Sequence, residues 1–240
     1  MTSHAAHPLT VTAEAADYQR IADIQSWTRF SKQQHWLCTP SDEFAIKQAM
    51  TTSLGSTLPV GRFKSYSDCG LNPDGGLISS RKLNRILSFD PRTGVLECEP
   101  GATWRDVLST TLQHGWALPT SPATQYVTLG GAVANDIHGR NQHAVGNFGH
   151  YVEELQLLQS NGDSRVCSPI QNPDLFRATI GGIGLTGFIL RIRVQLVPHS
   201  GLLNVSSLRF RGLYKALELC DELQDRWEYI AVWFDLRTKH

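Results

Sequence analysis

The sequence predicts an α+β protein, because signals for capped helices and for alternating strands follow one another along its 240 residues. Thr103 is placed to cap a helix whose apolar stripe recurs at helical spacing. Residues 188–197 alternate apolar and polar side chains, as a half-buried strand does. Asn161-Gly162 joins two further apolar segments and is a strong hairpin signal. A content of 41% hydrophobic and 18% charged residues is typical of a globular protein.

In the first half of the chain, capping and turn residues divide the sequence into short elements. Thr39 can cap a helix that runs to about Met50, and Pro40 suits the first turn of that helix. The helix capped by Thr103 is expected to end at Gly115, since glycine commonly follows a helix terminus. Strands are predicted at residues 58–61, 77–78, 86–89 and 95–99.

In the second half, the hairpin around Asn161-Gly162 is expected to pair residues 151–159 with residues 164–167. Asn172 is the candidate cap of a short helix that Pro173 begins. After the strand at residues 188–197, a Pro and Gly cluster predicts a domain boundary. The elements expected beyond it are a strand at 203–210, a helix at 213–226 and a strand at 229–236.

Charge, cysteine content and hydropathy exclude several classes of protein. The 22 basic and 22 acidic residues cancel, so electrostatics gives no reason to expect a nucleic-acid partner or an anionic membrane. The 5 cysteines show no C-x-x-C pairing and are interpreted as reduced thiols in a reducing compartment. No segment resembles a signal peptide or a membrane span, and we therefore expect a cytoplasmic protein.

The most informative segment is residues 128–143, which is rich in small residues at its start and polar at its end. Gly130 and Gly131 lack a Cβ, so their backbone can approach a ligand closely. A helix that opens here would offer free N–H groups to an anion. The pattern predicts a phosphate-bearing cofactor with His138 close to its reactive part, although a lone histidine is more often structural.

Two other loops each allow two interpretations. Residues 61–69 combine two cations with hydroxyl groups, which suits a pyrophosphate but also an ordinary solvated turn. Residues 119–124 are rigid and rich in hydroxyls, and they fit a loop over a cofactor or a plain turn equally well.

Three other chemistries find no support in the sequence. Residues 182–187 match G-x-G-x-x-G, but a helix precedes them and a strand follows, the reverse of a nicotinamide-binding Rossmann motif. His138, His143 and His150 lack the spacing of a metal site, so no metal is expected. The sequence contains no G-x-S-x-G elbow, the motif that would indicate a serine hydrolase.

The order of these motifs resembles the PCMH-type FAD-binding domain of the vanillyl-alcohol-oxidase superfamily, and within it the decaprenylphosphoryl-ribose oxidase-like enzymes. The resemblance covers about residues 26–198. The motifs that carry it are R-F-K-S-Y-S-D at 62–68, D-I-H-G-R-N at 136–141 and G-G-I-G-L-T-G at 181–187. It implies two α/β subdomains around an extended FAD, followed by the start of an α+β substrate domain. The implied boundaries are a tail at 1–20, the FAD-binding domain at 21–198 and an incomplete substrate domain at 199–240.

The resemblance also implies which residues contact each part of the cofactor. Those at the pyrophosphate would be Gly61, Arg62, Phe63, Lys64, Ser65, Tyr66, Ser67, Asp68 and Cys69. Those at the phosphate and ribityl region would be Ala123, Thr128, Leu129, Gly130 and Gly131. Asn135, Asp136, Ile137 and His138 would lie along the flavin ring. Ile189 would lie at the adenine end, and Arg140 would face the substrate pocket.

This chain departs from its relatives in the pyrophosphate loop. Phe63 and Ser67 stand where the relatives carry glycine, and Lys64 stands where covalent flavoproteins of the superfamily often carry the attached histidine. We therefore expect the FAD to be bound non-covalently.

The function predicted from this resemblance is that of an FAD-dependent oxidoreductase, or of its N-terminal portion. It would transfer hydride from a hydroxyl-bearing carbon of a sugar or polyol-like substrate to flavin N5. His138 and Arg140 would be the catalytic-site residues present, with the catalytic base beyond residue 240. The electron acceptor and the oligomeric state are left open. The alternatives are a truncated, non-catalytic flavin-binding or interaction module and, ranked lower, a reductase of the enolpyruvyl-glucosamine type.

Overall fold

The computed structural model describes residues 17–51 and 54–235, and most of the predicted N-terminal tail lies outside them. The strands are β1 (Gln19–Ile24), β2 (Gln33–Cys38), β3 (Thr57–Val60), β4 (Gly76–Ser79), β5 (Ile86–Asp90), β6 (Val95–Cys98), β7 (Trp116–Ala117), β8 (Val152–Leu158), β9 (Ser164–Cys167), β10 (Phe188–Gln195) and β11 (Val197–Pro198). The helices are α1 (Glu43–Thr51), α2 (Trp104–Thr111), α3 (Leu129–Ala134), α4 (Gln142–Val145), α5 (Pro173–Thr179) and α6 (Leu213–Leu223).

The strands form two main sheets of different topology. One sheet has the order β1-β2-β4-β3, in which β1 and β2 are antiparallel and β4 is parallel to both of its neighbours. The other has the order β5-β6-β10-β8-β9 and is antiparallel throughout. A short pair, β7 with β11, lies outside these two sheets. The prediction of a mixed α+β fold is confirmed.

Three apolar clusters hold the sheets and helices together. The largest packs α2 and α3 against the five-stranded sheet and contains the wholly buried Leu129, Leu155 and Ile192. A second cluster contains Ile78 of the four-stranded sheet and Phe188 of the five-stranded sheet. The third lies within the four-stranded sheet. Because the second cluster has members from both sheets, the two sheets pack against each other. Residues from both sheets can therefore line one cavity at their edges.

The caps show which local predictions were correct. Thr103 forms a full capping box with Asp106, as expected for α2, and Gly115 follows at φ 77°. The cap of α1 is Asp42 instead of Thr39, since Asp42 Oδ1 accepts a hydrogen bond of 2.8 Å from the Ala45 backbone N–H. A carboxylate next to the first turn also favours the helix dipole.

At α5, Asn172 occupies the predicted N-cap position and Pro173 follows as expected, but the side-chain cap bond does not form. Asn172 has φ 49° and makes no cap bond with its side chain. Its amide Nδ2 instead donates to the Val166 carbonyl at 2.7 Å and ties the helix to β9. Pro173 begins the helix and needs no donor there.

The two strands predicted after residue 200 do not form in the described residues. Leu203, Val205 and Trp233 are exposed, and the backbone around them pairs with no sheet. Apolar composition predicted these strands, but a strand also needs a second strand that pairs with it, and neither segment forms such a ladder in the described residues. The helix predicted at 213–226 is present as α6, and its buried residue is Ala216.

The 5 cysteines are all free, in agreement with the prediction of unpaired thiols. Burial, followed by the charge of Glu154, raises the pKa of Cys167 to about 11, so this thiol is an inert packing group. Within the described ranges, no helix is long and apolar enough to cross a membrane.

A buried carboxylate lies just after β6, beside the residue that precedes β5. The Glu99 side chain is only 7% exposed. It accepts hydrogen bonds from the Arg85 backbone N–H at 2.8 Å and from the guanidinium at 2.6 and 3.0 Å. Burial alone would raise the pKa of the Glu99 carboxyl, but the bonds and charge of Arg85 outweigh it and lower the pKa below its ordinary value.

Glu99→Gln is therefore expected to lower the free energy of unfolding at neutral pH by roughly 1–3 kcal/mol. A depressed folded-state pKa contributes stability above the unfolded value of about 4.5, and this contribution is lost as pH falls through the folded value. Urea unfolding should separate the variant from the wild type at neutral pH and bring them together in acid. Glu97→Gln, at the longer Arg191 contact of 3.5 Å, is the control and should change little. A Glu99→Gln deficit that is independent of pH would contradict this account.

Candidate functional site

A cavity of about 570 Å³ opens between the ends of the two sheets. Pro59 and Val60 from the end of β3 line one side, and Phe188 and Ile189 from the start of β10 line another. The loop at 61–70 and the segment from 121 to 140 form most of the remaining wall. The volume is within the range of sites that bury small molecules or cofactors.

Most of the residues singled out in the sequence meet in this cavity, although they are far apart along the chain. The predicted residues that line it are Gly61, Arg62, Phe63, Lys64, Ser65, Tyr66, Ser67, Cys69, Ala123, Thr128, Gly130, Gly131, Asn135, Ile137, His138, Arg140 and Ile189. Residues 121–124 of the rigid hydroxyl-rich loop also line it, so this loop does lie over the cavity.

Asp68, Leu129 and Asp136 lie behind the cavity wall. Leu129 is wholly buried in the main core. Asp136 accepts hydrogen bonds from the Gly149 N–H at 2.9 Å and from Asn147 Nδ2 at 3.0 Å. Asp68 Oδ2 accepts a hydrogen bond from Ser31 Oγ at 2.7 Å. In this structure both carboxylates therefore support the loops that line the cavity.

The cavity is electrostatically one-sided. Arg62, Lys64 and Arg140 line it, while no Asp or Glu of the described residues does. Arg62 Nε is buried and has no hydrogen-bond partner among those residues. Burial, and then the charge of Arg62, lowers the pKa of Arg81, so these two guanidinium groups repel one another. Such a site favours an anionic ligand, which would supply the missing partners.

The start of α3 is not the anion site that its glycines predicted. The N–H groups of Leu129 and Gly130 donate to the carbonyls of Ala102 and Pro100, each at 2.8 Å. The Gly131 N–H donates to Thr128 Oγ1 at 3.2 Å. The prediction of free N–H groups is wrong because the protein itself binds them. A Cβ at Gly130 would lie 2.8 Å from Pro100 Cβ, so this glycine permits close packing.

A buried amide joins two loops of the cavity wall. Asn141 is wholly buried. Its Nδ2 donates to the Pro119 carbonyl at 2.8 Å, and its Oδ1 accepts from the Ser121 N–H at 3.1 Å. The Arg140 N–H adds a bond to the Ser121 carbonyl at 3.0 Å. This clamp sets the position of the backbone that carries His138 and Arg140.

The segment after α6 returns to the same loop. The Ile230 N–H donates to the Arg140 carbonyl at 3.0 Å. His143 Nε2 lies 2.9 Å from the Trp227 carbonyl and, because a carbonyl only accepts, carries the hydrogen of that bond. The cavity loop is thus held on one side by residues 119–121 and on the other by residues 227–230.

Comparison with known proteins agrees with the geometry. A family model described as "FAD binding domain" matches residues 41–168, more than half of the chain. The chain belongs to this FAD binding domain family. The chain is 32% identical to decaprenylphosphoryl-beta-D-ribose oxidase of Mycolicibacterium smegmatis over 90% of its own length and 48% of that protein. It is 26% identical to human Delta(24)-sterol reductase over 81% of its length and 35% of that protein.

A third relative is the putative D-arabinono-1,4-lactone oxidase of Neurospora crassa, 25% identical over 66% of this chain and 28% of that protein. The chain thus spans half or less of the length of these relatives. The names support an FAD-binding oxidoreductase family, and they include both oxidases and a reductase.

The cavity of this FAD binding domain fits its cofactor. The unpartnered Arg62 Nε and the absence of carboxylates from the described wall suit a pyrophosphate. A Cβ added at Gly70 would meet nothing within 4 Å, so the wall leaves room there for a ligand. The loop at 61–69 contains no histidine, and non-covalent binding of the flavin stays a prediction.

The cavity wall contains several residues that the sequence did not predict, among them Ile183. Two residues of the wall also have a strained backbone. Ile183 and Phe63 both have φ 54°, in the left-handed region that non-glycine residues avoid. Ile183 was not predicted because it is the variable position of a glycine-rich motif, and motif spacing carries no information on φ. Strain of this kind is retained where it serves a site.

Ile183→Gly is expected to raise the free energy of unfolding of the flavin-free chain by roughly 1 kcal/mol, since relief of strain exceeds the entropy cost of glycine. Removal of an apolar group from the wall should at the same time weaken FAD binding. Thermal unfolding and flavin titration measure the two effects. Asp74→Gly, at φ 58° and away from the cavity, is the control for strain alone and should leave the flavin affinity unchanged.

Proposed function

We propose that this chain forms the flavin-binding part of an FAD-dependent oxidoreductase that oxidises a hydroxyl-bearing carbon of a sugar or polyol-like substrate. The observation that carries the flavin assignment is a cationic cavity, lined by no carboxylate of the described residues, in a chain of the FAD binding domain family. The substrate class is supported by relatives named as ribose and lactone oxidases.

Different residues of the site would bind the phosphates and the substrate. Arg62 and Lys64 would hold the phosphates, and the Thr128 hydroxyl lines the same wall. Bound FAD supplies the hydride acceptor. His138 and Arg140 are exposed to the cavity, and no hydrogen-bond partner is found for their side chains in the described part of the chain. Both can donate hydrogen bonds to a substrate oxygen. As the resemblance implies, we place the base that takes the hydroxyl proton outside these residues.

The test is a flavin titration followed by anaerobic reduction. The purified chain should acquire the visible absorbance of bound FAD, and prolonged anaerobic incubation with sugars or polyols should bleach it slowly, because the described residues do not supply the base. Failure to retain any FAD would overturn the flavin assignment. Retained flavin that no substrate bleaches would favour the non-catalytic module.

A paired variant assigns the substrate side of the cavity. Arg140→Gln should keep the flavin and lose most of the bleaching rate, because a donor to the substrate oxygen is weakened. Arg177→Gln is the matched control, since Arg177 pairs with Asp174 on the surface of α5 and should leave both properties unchanged.

A reductase is the second candidate, because a sterol reductase is among the relatives. It predicts the opposite direction of electron flow: chemically reduced flavin in the chain would be reoxidised anaerobically by an unsaturated substrate, while hydroxyl compounds would leave oxidised flavin unbleached.

A further inference from the structure

The connection between β1 and β2 is part of the cavity wall, although no sequence motif marked it. Three hydrogen bonds join residues of this connection to the loop at 61–69. The Trp27 N–H donates to the Ser65 carbonyl at 3.0 Å, and Thr28 Oγ1 donates to the Tyr66 carbonyl at 2.8 Å. The third bond is that of Ser31 to Asp68. Pairing along residues 65–68 fixes how the connection lies against the second half of the loop.

Trp27 is the residue of this connection that reaches the cavity. It lines the wall together with Lys64, and the Lys64 ammonium lies over the indole at 4.9 Å from the ring centroid. That distance is within the range of an attractive cation–π contact. Trp27 also lies outside residues 41–168, the part of the chain that the family model matches.

The group that contacts the Lys64 ammonium determines how much of its positive charge remains available to a ligand. Among the described residues no carboxylate pairs with Lys64, although eight ion pairs form elsewhere. A carboxylate would orient the ammonium but would cancel its field. An aromatic face orients it through the ring quadrupole and leaves the full positive charge for another anion.

We propose that Trp27 is a positioning residue that holds the Lys64 ammonium, without neutralising it, over the place where the phosphates of the ligand bind. This inference rests on the proposed function for the identity of the ligand. It assigns the β1–β2 connection to the binding site and makes the Trp27–Lys64 pair a single unit in anion binding.

The pair can be tested by a double-mutant cycle on the flavin dissociation constant, with free FAD separated by ultrafiltration. Trp27→Leu should weaken FAD binding about fivefold, and Trp27→Phe should cost less than about twofold because an aromatic face remains. Lys64→Gln should weaken binding about tenfold. The double variant Trp27→Leu/Lys64→Gln should bind as Lys64→Gln does, since Trp27 acts through Lys64.

Trp27→Glu, compared in the wild-type and Lys64→Gln backgrounds, separates neutralisation of Lys64 from direct repulsion between the new carboxylate and the ligand. It offers Lys64 a carboxylate, so it should weaken FAD binding more than Trp27→Leu does, although both remove the ring. Equal losses in Trp27→Glu and Trp27→Leu, or additive losses in the double variant, would overturn the proposal. Phe30→Leu is the matched control, because Phe30 is an aromatic residue of the same connection that is 89% exposed and does not line the cavity.

Titration with inorganic pyrophosphate in a calorimeter separates this proposal from the proposed function. If the wild type retains no FAD, the flavin assignment fails. The pair stands in that case if pyrophosphate affinity falls in the order wild type, Trp27→Leu, Trp27→Glu. Pyrophosphate affinity that is equal in all variants, or absent in all, would overturn the pair. Thermal unfolding of each variant identifies any loss that is due to unfolding alone.

Discussion

Gly139→Ala is expected to have a large effect for a single added methyl group in the cavity wall. A Cβ at this position would lie 2.7 Å from the carbonyl carbon and oxygen of Ser121, and backbone atoms cannot rotate away. The loops at 119–121 and 138–141 would be forced apart. We expect FAD binding to weaken more than about tenfold and the free energy of unfolding to fall by roughly 2–3 kcal/mol.

Flavin titration and thermal unfolding measure these effects, and Gly70→Ala is the matched control. Gly70 also lines the cavity, but a Cβ there meets no protein atom within 4 Å and its φ lies outside the left-handed region. Gly70→Ala should unfold as the wild type does. Wild-type stability and flavin affinity in Gly139→Ala would show that the two loops can separate without cost.

The second large effect is expected at Asn141. Leucine has a similar size, but Asn141→Leu leaves the Pro119 carbonyl and the Ser121 N–H without partners in a buried place. Each such group costs about 1–3 kcal/mol, and we expect a loss of roughly 2–4 kcal/mol in the free energy of unfolding. The flavin affinity should fall with it, because the clamp positions His138 and Arg140.

Gln142→Leu is the control for Asn141→Leu. Gln142 is the next residue and also carries an amide, but it is exposed and bonds to Asn147 Oδ1 at 3.0 Å. Its replacement should change stability by less than about 0.5 kcal/mol. Urea unfolding compares the two variants, and equal losses would contradict the assignment of the clamp to Asn141.

Local signals predicted those elements whose structure depends on neighbouring residues. The capping box of Thr103 and the hairpin around Asn161-Gly162 involve residues close in sequence, and both are present. The alternation at 188–197 became β10 because strands lie on both sides of it. The segment at 203–210 is also apolar but stays unpaired, since the pattern of one strand carries no information about its neighbours.

For the site, too, the sequence indicated residues through their type and local pattern, but not those whose role depends on distant partners. Residue types in the loop at 61–69 and the segment at 128–143 indicated an anionic ligand, and the structure brings these segments together around one cavity. Trp27 and Asn141 could not be found in this way, because their roles depend on partners that only the fold brings close. The prediction from the glycines of α3 was wrong for a related reason. The sequence around Gly130 does not show whether its N–H is free or donates to the Pro100 carbonyl.

The bond between the Ile230 N–H and the Arg140 carbonyl has a consequence for exchange kinetics. A protected amide exchanges with solvent only when its hydrogen bond opens, and its rate reports the free energy of that opening. For Ile230, opening means separation of the returning segment from the loop that carries His138 and Arg140. A ligand that immobilises this loop will therefore slow deuterium uptake at Ile230, and the amide serves as a built-in reporter of cavity occupancy.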